Sequence, residues 1–317
     1  MSNKKETLPV VFVQLGTLPR HLRRNLYFFA SHFSNRSCYL VTDQERQIDI
    51  PDSIEVIDSK ELIKVWPEDF QIRDRRRLFR NNFWFLSKAR LLLIPRLMEK
   101  FKLEKIIHIE SDVWISPSFP FEVFENMSAP LAFPLVDEAR GIASVLFVNG
   151  SEGVNLLDRG CAEWPHMTDM QILGQIAMRS NDEVALPSTY NRNGLEIGPW
   201  IFDGAKLGMY LFGSDPRNTW GIIHRFRKSL MGNLESKQKI SLDKDQLIFS
   251  EGNSRKQIAN LHLHSKSTVL FSKHWAIFIR LQLLKNAVGL NYGISIMGLF
   301  KAGSEFAVQV IRKLASR

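Results

Sequence analysis

The chain has 317 residues, of which 44% are hydrophobic and 24% are charged, and its formal net charge at pH 7 is +9. This composition is typical of a globular protein with a sizeable core, in one large α/β domain or two smaller ones. The positive charge suits an acidic partner such as nucleic acid, an anionic membrane surface or a phosphorylated substrate. The two cysteines, Cys38 and Cys161, lie in apolar segments, which excludes a disulfide framework and a cysteine zinc site and favours a reducing compartment.

No segment of the sequence has the pattern of a signal peptide or a membrane span. The apolar run over residues 10–15 is too short for a secretory signal. Near the C-terminus, the uncharged stretch over residues 286–300 is interrupted by glycines and is shorter than the roughly 20 apolar residues that cross a bilayer. The sequence therefore predicts a cytoplasmic location.

The first part of the chain alternates between strand and helix patterns. Residues 8–15 form an apolar run that predicts a buried strand, residues 16–19 break it, and residues 20–33 have apolar side chains at helical spacing. Residues 37–43 and 53–58 predict two further strands. Strands that alternate with helices predict an α/β fold with a mostly parallel central sheet.

A long helix and a short strand lead to the first candidate site. Apolar residues recur at helical spacing from 78 to 101, directly after the basic cluster over residues 73–80, and Pro95 is expected to kink or split this helix. Residues 103–109 predict a fresh strand that ends at Glu110. Ligands of open α/β sheets collect beyond the carboxyl ends of such strands, which is where Glu110 lies.

Further strands and helices follow in the second half of the chain. Residues 143–149 predict a strand, and a helix is expected to begin near Ser151. Thr168 is a candidate N-cap for the next helix, and residues 257–264 predict a late strand.

The sequence shows no internal repeat, low-complexity tract or clear linker. It therefore predicts one α/β domain over residues 1–275, followed by a basic helical tail over residues 276–317. Residues 277–284 and 306–314 combine apolar faces with Lys and Arg, as interfacial helices do. This pattern predicts a peripheral position on the inner face of the cytoplasmic membrane, and the alternative is a basic helix that packs on the domain.

Glu110 and Asp112 are the candidate metal-binding carboxylates. They are separated by one residue, so both point to the same face if strand geometry continues. Mg²⁺ and Mn²⁺ prefer hard oxygen ligands of this kind and also accept phosphate oxygens from a substrate. The alternative is a solvated strand end with two surface acids.

A late strand carries two histidines that alternate with leucines. His262 and His264 are expected on the face opposite the core, and either one could complete a metal shell with a neutral imidazole. Lys266 follows them on the same segment.

Two acids, Asp203 and Asp169, each have two interpretations. Asp203 lies between an apolar run and glycines, where it could cap the following helix or deprotonate an acceptor hydroxyl. Asp169 opens a helix, where an acid favours the macrodipole, and its functional role would be to orient a substrate. Both are predicted catalytic residues.

In the order of its motifs, the sequence resembles the GT-A glycosyltransferases, especially those related to glycogenin and the bacterial lipopolysaccharide galactosyltransferases. The resemblance extends over most of residues 9–275. In this superfamily an Asp-x-Asp motif closes a strand and holds a divalent metal on the donor diphosphate, and this chain has Glu110 in the first position. The matching segments are residues 105–115, 85–90, 144–149, 169–173 and 260–266.

The resemblance implies a Rossmann-like nucleotide-diphospho-sugar transferase fold, a nucleotide-sugar donor and Mn²⁺ or Mg²⁺ as the cofactor. The acceptor would be a glycan or a lipid-linked hydroxyl, with a role in surface glycan or polysaccharide synthesis. The implied metal ligands are Glu110, Asp112, His262 and His264, with His262 preferred over His264, and Asp169 would orient the acceptor near the donor sugar. The implied donor-binding residues are Gly16, Thr17, Asp43, Lys88, Arg90, Ser111 and Lys266.

Two other functions fit parts of the pattern. One is a protein that keeps the GT-A fold but binds a nucleotide sugar or an anionic membrane without catalysis, which the Glu110 replacement favours. The other is nucleic-acid binding through the basic cluster and the tail, against which the absence of any nucleic-acid motif argues. The sequence does not determine the sugar, the stereochemical outcome or the oligomeric state.

Overall fold

The computed structural model describes most of the chain and positions the predicted site at the meeting point of two sheets. Lys266, the basic cluster over residues 73–80 and the end of the tail are not among the described residues, so the predictions for them stay predictions. The described ranges are residues 7–44, 49–67, 83–181, 183–191, 194–195, 197–213, 234–264, 268 and 270–287.

In the described part of the chain, the larger sheet has eight strands in the order β3-β2-β1-β4-β8-β6-β7, with β9 paired to β6. β1 is parallel to β2 and β4, and β2 is parallel to β3, whereas β8 runs antiparallel between β4 and β6. The prediction of an α/β fold with a mostly parallel central sheet is confirmed. The strands are β1 Val10–Gln14, β2 Cys38–Thr42, β3 Ile54–Asp58, β4 Lys105–Ile109, β6 Leu131–Asp137, β7 Arg140–Gly141, β8 Val145–Asn149 and β9 Ala185–Leu186.

A smaller sheet has the order β10-β13-β12-β11, and β5 pairs with β13. β5 is the strand that follows the Glu110 and Asp112 segment, so this pairing joins the candidate metal motif to the late histidine strand. The strands are β5 Val113–Ile115, β10 Trp200–Phe202, β11 Gln238–Asp243, β12 Gln246–Glu251 and β13 Ser254–His262.

The helices include those that the sequence predicts over residues 20–33 and 78–101, near Ser151 and after Thr168. Within the described ranges they are α1 Arg20–His32, α2 Ser59–Leu62, α3 Phe83–Phe101, α4 Phe121–Asn126, α5 Gly150–Glu163, α6 Asp169–Arg179, α7 Lys206–Phe212 and α8 Trp275–Ala287. Thr168 is the N-cap of α6 and forms a capping box with Gln171, as the sequence predicts.

Pro95 lies inside α3, which continues through it as one helix, so of the two predicted alternatives, a kink and a split, the split does not occur. A proline in a helix interior removes one backbone hydrogen bond. The neighbouring Leu91, Ile94 and Leu97 have no exposed surface. Burial of this apolar face stabilises the helix across the proline, because most helical stability in proteins comes from tertiary packing.

The core lies on both faces of the larger sheet. In β1, Val10 and Phe12 face one apolar cluster and Val11 faces the other, because successive side chains of a strand point to opposite faces. Leu22 and Leu26 of α1 pack into the first cluster. This two-sided burial explains why β1 reads as a continuous apolar run.

The described part of the predicted tail is α8. Its Trp275 and Ile279 are buried in the first apolar cluster, and the helix contacts α7 and β11. Ile277 and Leu284 on its other side are exposed. None of the described helices is long and apolar enough to cross a membrane.

Candidate metal centre

Three neighbouring parallel strands end at the same edge of the larger sheet and bring the predicted nucleotide and metal residues there. Gly16 follows β1, Asp43 follows β2 and Glu110 follows β4. The backbone N–H of Gly16 donates to Asp43 Oδ1 over 2.8 Å. Gly16 has a φ of +72°, a conformation that favours glycine, and Thr17 beside it is exposed.

His262 reaches this edge through strand pairing rather than through proximity in sequence. In the antiparallel pair of β5 and β13, His262 lies opposite Val113. The backbone N–H of Leu263 then donates to the carbonyl of Asp112 over 2.8 Å. The register of this pair therefore fixes the histidine beside the carboxylate motif.

Glu110, Asp112 and His262 form a compact cluster whose potential ligand atoms all lie within 4.8 Å of one another. His262 Nε2 is 3.4 Å from Asp112 Oδ2 and 3.6 Å from Glu110 Oε2. The Glu110 Oε2 atom is buried and has no hydrogen-bond partner among the described residues. A buried carboxylate oxygen of this kind is costly unless something pairs with it.

This donor set fits a small divalent cation. Carboxylate oxygens with one imidazole suit Mn²⁺ and related ions. The His262 ring is oriented for the task, because its Nδ1 donates to the carbonyl of Gly204 over 2.8 Å. A carbonyl can only accept, so Nδ1 carries a proton, and Nε2 is the ring atom that faces the two carboxylates and would bind a metal in the neutral imidazole.

His264 does not join the cluster of possible ligands. Its ring stacks on that of His262 with the centroids 4.1 Å apart, so the two histidines do share a side, as the alternation predicted. β13 ends at His262, and His264 lies beyond it. Of the two predicted ligands, the structure places His262 beside the carboxylates.

Arg90 connects the cluster to the start of α6. One guanidinium nitrogen of Arg90 donates to Glu110 Oε1, and another donates to Asp169 Oδ2 over 2.9 Å. Burial raises the pKa of Glu110, but the positive Arg90 and then His262 outweigh it and hold this pKa below its usual range. His108 lies two residues before Glu110. Burial and then the charge of Arg90 lower the pKa of His108 to about 3, so this residue is neutral.

Asp169 is buried at the end of this chain of contacts. Its second oxygen accepts from Ser87 Oγ over 3.3 Å. Burial raises the pKa of Asp169, and the Arg90 charge opposes that rise. Both carboxylate oxygens therefore have protein partners, and the acid faces Arg90 rather than open solvent.

Asp203 has no exposed surface, and the backbone occupies both of its carboxylate oxygens. Oδ1 accepts from the N–H of Leu207, and Oδ2 accepts from those of Gly208 and His262, at 2.8–3.0 Å. Burial raises the pKa of Asp203, and these N–H groups oppose that rise. The contacts match the helix-capping interpretation of this residue, extended to the histidine strand.

Two further predicted donor-binding residues, Lys88 and Ser111, differ in the exposure of their side chains. The Lys88 ammonium donates to the carbonyl of Pro165, and burial lowers its pKa to about 8. Lys88 has no exposed surface, and its role in donor binding stays a prediction. Ser111 is partly exposed between the two carboxylates, and its Oγ lies 3.5 Å from His21 Nε2.

Sequence reasoning missed Asn25, which supports the metal segment from α1. Its side chain is 1% exposed and donates to the carbonyl of Val113 over 2.8 Å and to that of Ser111 over 3.4 Å. Asn25 shares the buried face of α1 with Leu22 and Leu26. A polar residue on the apolar face of a predicted helix was the signal available in the sequence.

No protein-family model matches the chain, and no curated protein matches it. Several solved structures are similar to the chain. A galactosyltransferase, LgtC, in complex with donor and acceptor sugar analogues is 15% identical, with 53% of this chain and 70% of that chain covered and a TM-score of 0.36. An active-site mutant of LgtC is 13% identical, with 92% and 98% covered and a TM-score of 0.40.

A third structure is a glycosyltransferase involved in the glycosylation of the major capsid of PBCV-1, at 16% identity, with 49% of this chain and 66% of that chain covered and a TM-score of 0.29. These structures are glycosyltransferases, the class whose motifs the sequence resembles. Because their identities and TM-scores are low, the functional argument depends on the geometry of the site and not on these structures.

Proposed function

We propose that the protein is a metal-dependent glycosyltransferase that moves a sugar from a nucleotide-diphosphate donor to an acceptor hydroxyl. The observation that supports the proposal is the cluster of Glu110, Asp112 and His262, which combines an imidazole ring held through Nδ1 with a buried carboxylate oxygen that has no hydrogen-bond partner among the described residues. The cluster lies at the carboxyl edge of a mostly parallel sheet, where open α/β folds bind ligands.

The neighbouring strand ends supply a place for the nucleoside. The Gly16 turn lies at the end of β1, which is next to β4 in the sheet, and Asp43 lies at the end of β2 on the other side of β1. A divalent ion held by the three ligands would neutralise negative charge that grows on the leaving diphosphate. Lys266 stays a predicted phosphate contact outside the described residues.

We assign positioning roles to the two acids that the sequence predicted to be catalytic. Asp203 accepts the backbone N–H of His262 and two N–H groups of α7, so it fixes the histidine strand. Asp169 binds Arg90, which in turn binds Glu110. A general base must reach the acceptor hydroxyl, and these occupied carboxylates point to protein groups instead.

A donor screen tests the proposal. Purified protein is incubated with a panel of nucleotide sugars, with and without Mn²⁺, and its thermal stability and the release of nucleoside diphosphate are measured. We expect one donor class to raise the melting temperature only with Mn²⁺ and to be consumed in the presence of a glycan or lipid-linked acceptor. Asp112→Ala should lose both effects, since it removes one of three ligands.

The matched control is Asp243→Ala, an exposed acid on the β11–β12 hairpin whose side chain pairs with Arg255. This variant should behave like the wild type. If a donor stabilised wild type and Asp112→Ala equally, the metal assignment would be wrong. Donor binding without any metal-dependent turnover would support the non-catalytic alternative.

A further inference from the structure

Arg90 is held by three separate acceptors, which leaves its guanidinium little freedom to turn. Its Nε donates to the carbonyl of Ser87, and its two terminal nitrogens donate to Glu110 Oε1 and Asp169 Oδ2. The Arg90 side chain is 11% exposed. Because the planar fork of arginine presents its donors in fixed directions, three occupied acceptors define one orientation.

The two oxygens of Glu110 consequently have different surroundings. Oε1 accepts a hydrogen bond from the Arg90 guanidinium, whereas Oε2 is buried, has no hydrogen-bond partner in the described ranges and faces His262 Nε2 at 3.6 Å. A dication that bound through Oε1 would lie beside a fixed positive charge in a site with little water. Coulomb repulsion at such short separations is several-fold stronger near or inside a protein than in bulk water.

We propose that Arg90 restricts Glu110 to one coordinating oxygen and thereby makes the site select Mg²⁺-sized ions over Ca²⁺. This inference rests on the proposed function, because it concerns the same metal site. Ca²⁺ takes six to eight oxygen ligands and commonly uses both oxygens of a carboxylate, whereas Mg²⁺ requires six ligands at shorter distances and is bound through one or two carboxylates. A one-oxygen Glu110 suits the smaller ion.

Asp169 is the residue that keeps Arg90 in this role. It binds the terminal nitrogen that faces away from Glu110, and its own second oxygen accepts from Ser87. Asp169 is also the first residue of α6, so the backbone of a capped helix holds it in place. Arg90 is thus a positioning residue for Glu110, and its effect is expected in ion preference rather than only in stability.

Ion competition on the full chain tests the inference. Bound Mn²⁺ is followed by electron paramagnetic resonance while Mg²⁺ or Ca²⁺ displaces it from wild type, Arg90→Lys and Arg90→Gln. We expect wild type to bind Mg²⁺ more tightly than Ca²⁺, and both Arg90 variants to lower this Mg²⁺ preference by about tenfold, in the range known for residues that orient metal ligands. Comparing these two hard ions separates ion size from ligand chemistry.

Arg96→Lys is the matched control. Arg96 lies on the same helix and also binds two acids, Glu99 and Asp158, on a more exposed part of α3. Its replacement should leave the Mg²⁺ to Ca²⁺ ratio unchanged. A ratio that stays the same in both Arg90 variants would overturn the inference, whereas failure of wild type to bind any of the three ions would remove the metal site itself.

An infrared measurement on wild type covers the case in which the Arg90 variants do not fold. The separation of the two carboxylate stretching bands distinguishes one-oxygen from two-oxygen coordination, and Glu110→Gln identifies the bands of this residue. We expect a one-oxygen signature for Glu110 with Mg²⁺ and with Ca²⁺. A two-oxygen signature with Ca²⁺ would contradict the role assigned to Arg90.

Discussion

Asp203 shows how a residue with an ambiguous sequence pattern gains a definite role from its contacts. A carboxylate before a helix can cap that helix or act as a base. Here the same carboxylate accepts N–H groups of α7 and of His262, and the adjacent Gly204 carbonyl accepts the His262 Nδ1 proton. Asp203 therefore binds the backbone of His262, and Gly204 binds its imidazole ring.

Replacement of this carboxylate should weaken metal binding as well as folding. In Asp203→Asn, the amide nitrogen is a donor and faces backbone N–H groups, so at least one buried donor loses its acceptor. We expect a loss of about 1–3 kcal/mol in the free energy of unfolding. We also expect about a tenfold loss in Mn²⁺ affinity, measured by calorimetric titration.

Asp58→Asn provides the comparison for Asp203. Asp58 also caps a helix, since its side chain accepts from the N–H of Lys60, but it lies at the end of β3 on the far edge of the larger sheet. Its replacement should affect stability alone. Equal Mn²⁺ affinity in wild type and in both variants would show that Asp203 has only a structural role.

At the scale of elements, α7 and β13 approach each other closely enough to require glycine at position 208. A β-carbon on Gly208 would lie 2.0 Å from the carbonyl oxygen of His262 and 3.1 Å from Asp203 Oδ2. Backbone oxygen cannot move aside as a side chain can. Contact between the helix and the ligand-bearing strand is therefore part of the site.

Gly208→Ala should push α7 away from the end of β13. We expect a loss of about 1–3 kcal/mol in the free energy of unfolding, which is typical of overpacking, together with weaker Mn²⁺ binding. Denaturant unfolding and Mn²⁺ titration measure the two effects.

Gly160→Ala in α5 is the matched control for Gly208→Ala. The nearest atoms to an added β-carbon there are side-chain carbons of Ile172 and Ile176 at 3.0 Å, which have more freedom to shift. This control should keep its Mn²⁺ affinity. Unchanged Mn²⁺ affinity in Gly208→Ala would show that the position of His262 does not depend on α7.

For the whole molecule, the candidate metal centre is a junction between two sheets. Glu110 follows a strand of the larger sheet, whereas His262 ends a strand of the smaller one. β5 links them by pairing with β13. An ion bound by residues from both sheets stabilises conformations in which the junction is intact, because it binds the folded site and not the opened one.

Metal addition should therefore protect the junction more than the rest of the protein. We expect Mn²⁺ to slow amide hydrogen exchange in residues 111–115 and 258–264. With free Mn²⁺ at about 100 times its dissociation constant, the exchange should slow by at most about 100-fold. Residues 54–58 in β3, at the edge of the larger sheet, should exchange at an unchanged rate. Uniform protection, or none at the junction, would contradict a bridging ion.

The local features of this protein are readable from its sequence. Strand β1, helix α1 and the Thr168 cap follow from short-range periodicity and capping chemistry, which depend on residues a few positions apart. The position of Glu110 at a strand end follows in the same way. Pro95 does not split α3, because packing of the apolar face of this helix outweighs one missing hydrogen bond.

The tertiary structure alone decided how the candidate site is assembled. The register of β5 against β13 selects His262 over His264, across about 150 residues of chain, and no local pattern encodes such a register. The same holds for Arg90 between Glu110 and Asp169, whose partners lie 20 and 79 positions away. The sequence determined which residues could bind a metal at a strand end, and the long-range packing determined which of them meet, because side-chain geometry depends on contacts that sequence spacing does not specify.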